Sequence, residues 1–167
     1  MDRVISRITV HLILRAEWKV LLARRFLTRD ERGNYGLIFT DLETGETLTE
    51  ALIREAREAI GIVLDPKDLR LVHVMHRQVE NALDVFFLAR SWSGEPLNLD
   101  PEKYDDLSWY EISRLPELMV RYVKIALMYA RDDVPYSEFG TKNASARAAP
   151  VGMLQNPGRP ATENEPS

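Results

Sequence analysis

The sequence predicts an α/β protein, an α/β/α sandwich around a mixed β-sheet. Three observations lead there. Strand-like runs alternate with helical ones in the order strands, helix, strands, helix. A single stretch, residues 47–61, carries both a helix start signal and a helix stop signal. Finally, 167 residues with 45% apolar and 29% charged content fit one soluble globular core.

The elements follow in chain order. Arg7–Arg15 and Lys19–Arg25 read as strands joined around Ala16-Glu17-Trp18, a hairpin. Thr47 with Glu50 three residues on forms a capping box, and Gly61 is a natural stop, so the helix spans Leu48–Ile60. At about 100° per residue, Thr49, Leu52, Ile53, Ala56 and Ile60 fall on its core side. Glu55 is then expected to point away from the core, with Glu58 on the adjoining turn. Ala59 is expected on the flank beside Glu55, where a longer side chain would swing outward. Leu69–Gln78 and Leu83–Ala89 form a second strand pair, and Asp106–Tyr110 a short strand. A last helix is expected over Glu117–Arg131, with Met119, Tyr122, Val123 and Ala126 buried. These elements give one domain, residues 1–140. From Thr141 to Ser167 Ala, Pro, Gly, Ser and Asn dominate, and disorder is expected.

Charge and composition exclude several classes. The net charge is −4. Lys142, Arg147 and Arg159 against Glu163 and Glu165 give the tail +1 and leave −5 for the rest, which argues against nucleic-acid binding. There is no cysteine, hence no disulfide or thiol chemistry. No run is apolar enough to span a bilayer. Ile8–Leu14, broken by His11, reads as a strand rather than a leader, so a cytoplasmic protein is expected.

The candidate chemistry centres on the capped helix. Glu55 and Glu58 are like charges at i,i+3, a pair that gains from a bound cation, and Mg²⁺ suits such oxygen ligands. Arg54 lies four residues from both Glu50 and Glu58 and braces either. The plainer reading is a solvated charged helix face. Asp100, Glu102, Asp105 and Asp106 form an acidic loop. Arg24 and Arg25 end a strand, where one faces a cleft and meets a phosphate. His76 is either a satisfied strand-end histidine or a contact to a phosphate or base; His11 and His73 show no metal spacing.

The stretch from Thr40 to Ile62 closely resembles the Nudix signature G-x5-E-x7-R-E-U-x-E-E-x-G-U, U being aliphatic. Glu46, Arg54, Glu55, Glu58, Gly61 and Ile62 match. Ala59 stands where the second glutamate of the pair belongs, and Thr40 where the first glycine belongs, after Phe39. Val74–Arg77, Asp84–Phe87, Trp92–Pro96 and Val134–Gly140 also look like bacterial Nudix hydrolases. The resemblance implies attack of a metal-activated water on a nucleoside diphosphate-linked substrate or a related diphosphate. It implies Mg²⁺ or Mn²⁺ on Glu55 and Glu58, with Arg54 in support. In the family the paired glutamates and the glycine loop's backbone surround the metals. Glu102 or Asp106 is expected to add a ligand or base, and Arg24, Arg25 and His76 to contact substrate. Many relatives are dimers. The losses at 59 and 39–40 thin the metal site and reshape the loop. Three roles follow: a hydrolase with a weakened metal site, a non-hydrolytic Nudix-fold protein whose cleft binds a ligand or runs a metal-independent reaction, or a protein that docks a partner.

Overall fold

A computed structural model of the chain describes residues 3–26, 33–140 and 149–150. Its strands are β1 (Arg7–Ala16), β2 (Lys19–Arg25), β3 (Tyr35–Gly36), β4 (Ile38–Asp41), β5 (Leu69–Arg77), β6 (Ala82–Ala89), β7 (Tyr104–Glu111), β8 (Tyr136–Phe139) and β9 (Ala149–Pro150). Its helices are α1 (Leu48–Ile60) and α2 (Arg121–Arg131). The α/β/α sandwich expected from the sequence is borne out: the sheet is mixed, with apolar clusters that α1 and α2 cover separately. No helix among the described residues is long and apolar enough to cross a membrane.

β1 is the spine. It pairs antiparallel with β4 from Thr9↔Asp41 to Leu12↔Ile38, and parallel with β6 from Arg7↔Ala82 to Leu14↔Ala89. β6 continues to β5, and β5 to β8. The end of β1 turns through Glu17 into β2, which pairs with β7 along nearly its whole length. One core gathers Leu12, Leu14, Leu52, Ile60 and Val85 under α1. The other gathers Leu22, Met75, Phe86, Val123 and Ala126 under α2.

Helix α1 is bounded as its sequence dictates. Thr47 accepts from the Glu50 N–H while Glu50 accepts from the Thr47 N–H, and Gly61 closes the helix at φ 71°, a conformation that favours glycine. Its buried face differs from expectation. Ala51, Leu52, Glu55, Ala56, Ala59 and Ile60 are buried, while Thr49 and Ile53 are only half-buried. The core stripe is thus rotated toward the alanines, because small side chains let the helix sit close against β4 and β1.

Two other differences have local causes. The Phe39-Thr40 segment is strand β4, held to β1, and not a loop. The last helix starts at Arg121, because Leu118 and Val120 exchange backbone hydrogen bonds with Tyr35 and keep that stretch extended. Met119, Tyr122, Val123 and Ala126 are buried as expected. The disorder expected over 141–167 falls mostly outside the described residues; within it, the backbone of Ala149–Pro150 pairs with β8.

Candidate functional site

The outer edge of α1 carries a ladder of charges. Arg54 grips Glu46 with two bonds, Nε to Oε1 at 2.6 Å and Nη2 to Oε2 at 3.1 Å. Glu43 lies 3.7 Å and Glu58 3.6 Å from the same guanidinium. The Arg54 bond holds Glu46 below the usual carboxylate range, and the same contact raises Arg54. The Glu58 side chain is 64% exposed, so its attraction to Arg54 is screened.

The inner edge is different. The Glu55 side chain is only 8% exposed. The Lys103 ammonium donates to Glu55 Oε1 at 2.6 Å and to the Phe39 carbonyl at 2.6 Å. The same nitrogen lies 4.5 Å from the Phe39 ring centroid and 5.3 Å from that of Tyr104. The Tyr104 hydroxyl accepts from the Phe39 N–H at 3.2 Å. Burial, with the nearby Glu55 charge, keeps that phenol protonated well above its usual range. The Arg25 guanidinium also lies over the Phe39 ring, 4.1 Å from its centroid. Arg25 is 5% exposed, and its Nε and Nη2 have no hydrogen-bond partner among the described residues.

Backbone contacts fix this inner edge. Leu97 and Leu99 donate to the carbonyls of Ile60 and Ala59 at the end of α1. Asp100 accepts from the Lys103 and Tyr104 N–H groups, and Phe26 donates to the Lys103 carbonyl. The turn that carries Lys103 is therefore clipped to the helix that carries Glu55.

A divalent metal does not fit this arrangement. Glu55 is turned inward onto an ammonium, and Glu58 is turned outward onto Arg54. Ala59 is 1% exposed within the core, so the expected outward path for a longer side chain is absent. Glu55 also does not point away from the core as its helical position suggested. Among the described residues, no group of three or more His, Cys, Asp or Glu comes together to hold a metal.

The remaining candidates scatter. Arg25 reaches the inner edge, while Arg24 sits in an exposed pair with Asp105 at 2.6 Å. Asp106 accepts from the Tyr35 hydroxyl at 2.7 Å and from Ser108 at 2.8 Å, away from α1. Glu102 is exposed in the turn beside Lys103, and His76 is half-buried on β5 opposite Leu83 and Glu138.

Sequence reasoning missed Lys103, and it missed a second polar cluster. Asp84 is fully buried, accepting from Arg77 Nε at 2.6 Å and lying 2.7 Å from His11 Nε2. Burial lowers His11, which is therefore neutral at pH 7, and an ionised Asp84 requires Nε2 to carry its proton. Burial works to raise Asp84, but the bonds from His11 and Arg77 outweigh it and hold the carboxyl low. An aspartate inside the apolar run Leu83–Ala89 and a histidine inside Ile8–Leu14 were the available signals, since buried polar groups need partners.

Comparison with known proteins agrees with this architecture. The chain is 34% identical over 105 residues to the NAD-capped RNA hydrolase NudC of Salmonella heidelberg (strain SL476), a match covering 63% of this chain and 39% of that protein. The chain thus spans well under half the length of the curated relatives it matches. The crystal structure of a MutT NUDIX hydrolase from Burkholderia pseudomallei superposes with a TM-score of 0.68 at 26% identity, covering 74% of this chain and 97% of that one. An ADP-ribose pyrophosphatase from Streptococcus suis 89-1591 shares the fold, with a TM-score of 0.58 at 17% identity over 77% of this chain and 91% of that one. The NUDIX domain model matches residues 5–128, and the chain belongs to the NUDIX family.

Proposed function

We propose that this chain is a non-hydrolytic NUDIX protein that binds a small diphosphate-linked molecule at the inner edge of α1, beside β4 and the turn at 98–103. The observation that carries this reading is the divergence of the two remaining helix carboxylates. Glu55 is buried onto Lys103, its i+3 neighbour Glu58 is exposed and faces Arg54, and position 59, four residues after Glu55, holds a buried alanine. Carboxylates that do not converge give a hard cation too few ligands at once. The cations at the inner edge, Lys103 and Arg25, suit a phosphate oxygen. The ligand class fits the NAD cap named for its NudC relatives, which carries a diphosphate bridge.

One observation favours a second reading, a slowed Mg²⁺-dependent hydrolase. The Glu46–Arg54 clamp is intact and keeps Glu58 within reach of solvent. Calorimetry with NAD, ADP-ribose and nucleoside diphosphates, with Mg²⁺ and with chelator, separates the two, with product release followed in parallel. The binding reading predicts association in chelator and no release. Release that requires Mg²⁺ and disappears in Glu55→Gln establishes the hydrolase instead.

A further inference from the structure

Glu55 and the Phe39 carbonyl present two oxygens to one point, and something positive must sit there. We propose that the Lys103 ammonium is the resident cation of this inner edge and holds that point against divalent ions. The assignment deepens the binding reading above, because it says how the inner edge balances charge.

The contacts account for the seat. Both Lys103 bonds are short, and each acceptor is a hard oxygen of the type a divalent ion would use. The Phe39 and Tyr104 rings add π faces on which a cation is favoured. The lysine arrives on a turn whose backbone is bonded to Ala59, Ile60, Asp100 and Phe26, so the ammonium is presented already in place.

Charge decides between lysine and metal. The side chains in mutual contact here are Arg25, Phe39, Lys103, Tyr104 and Glu55. They carry two positive charges against one negative charge, and the Asp100 carboxylate, which accepts from the Lys103 N–H and acts on Tyr104, adds a second negative charge beside the turn. A dication added to this set meets repulsion from Lys103 and Arg25 and finds one carboxylate. An anion meets two cations. Lys103 has a third N–H with no bonded acceptor among the described residues, and its side chain is 28% exposed, so it remains reachable.

The test uses the full chain and two probes, MnCl₂ alone and inorganic pyrophosphate in chelator. Wild type is expected to show no Mn²⁺ site. Lys103→Met keeps the apolar stem, removes the charge, and is expected to gain weak Mn²⁺ binding, held by one carboxylate and one carbonyl, that a further Glu55→Gln abolishes. A Mn²⁺ site in wild type that Glu55→Gln removes overturns the proposal, as does the absence of any gain in Lys103→Met. Should Lys103→Met fail to fold, the ¹⁵N ammonium resonance of Lys103 in wild type decides. Its persistence through a Mn²⁺ titration supports the seat, and its loss together with a Glu55-dependent Mn²⁺ site contradicts it. The pyrophosphate arm tests the binding reading separately. Affinity in chelator, weakened about tenfold or more in Lys103→Met as expected for one charge-assisted hydrogen bond, supports that reading. Failure of wild type to bind pyrophosphate, with the Mn²⁺ results as expected, removes the ligand class and leaves the cation assignment standing.

Discussion

Among the described residues two carboxylates are buried against cations, and the two are built for different ends. Asp84 lies wholly inside, its Arg77 partner is 7% exposed, and His11 closes the third side. Glu55 lies at the rim of α1, and its Lys103 partner is 28% exposed. The inner cluster is shielded from solvent and pins β1, β5 and β6 together under α2. The rim pair keeps one cation where a ligand can reach it. Similar chemistry thus serves rigidity in one place and, on the binding reading proposed above, recognition in the other, and accessibility is what separates them.

The largest expected effect comes from breaking the shielded cluster. Asp84→Ala leaves the Arg77 charge buried and unpaired, and urea unfolding should show a loss of about 3–5 kcal/mol. A loss near zero would mean that Arg77 escapes to water and the cluster is not shielded. Next comes Ala59→Glu, which tests the closure of the inner edge. Position 59 is in the core, so the added side chain overpacks it, costing about 1–3 kcal/mol before the cost of the buried charge is added. An unchanged melting temperature with new Mn²⁺ binding would show that position 59 opens outward after all.

Glu55→Gln should cost less, on the order of 1 kcal/mol, because Lys103 still reaches water when its partner is neutral. A loss as large as that of Asp84→Ala would erase the distinction between the two sites. The smallest effect is a slope in pH. Burial lowers both His11 and His73, so the unfolded chain takes up protons near pH 6.5 that the folded chain refuses. Stability is therefore complete above about pH 6.5 and declines as the pH falls below it. His11→Phe should flatten part of that decline, and an unchanged slope would place the titration on other groups.

What the sequence disclosed followed the range of the interactions involved. Thr47, Glu50 and Gly61 set the ends of α1 through bonds within a few residues, so both boundaries were readable. The strands β1, β2, β5 and β6 were visible as apolar runs, and the buried residues of α2 as a periodic stripe. The inner edge was hidden because its parts lie far apart in the chain. Lys103 meets Glu55 across 48 positions, through a turn whose attachment to Ala59 and Ile60 no local pattern announces. Glu55 itself was misplaced because Thr49 and Ile53 look more apolar-facing than Ala51 and Ala59. Close approach of the sheet selects the small residues instead. The His11–Asp84 contact spans 73 positions and depends on the parallel register of β1 and β6, which alternation within either strand leaves open.

The seat of Lys103 is tested most directly by a crystal grown in Mn²⁺, with anomalous scattering recorded above the manganese edge. The Lys103 nitrogen is expected between Glu55 and the Phe39 carbonyl, with no anomalous peak at that point. A peak bonded to Glu55, with Lys103 swung out into solvent, would contradict it.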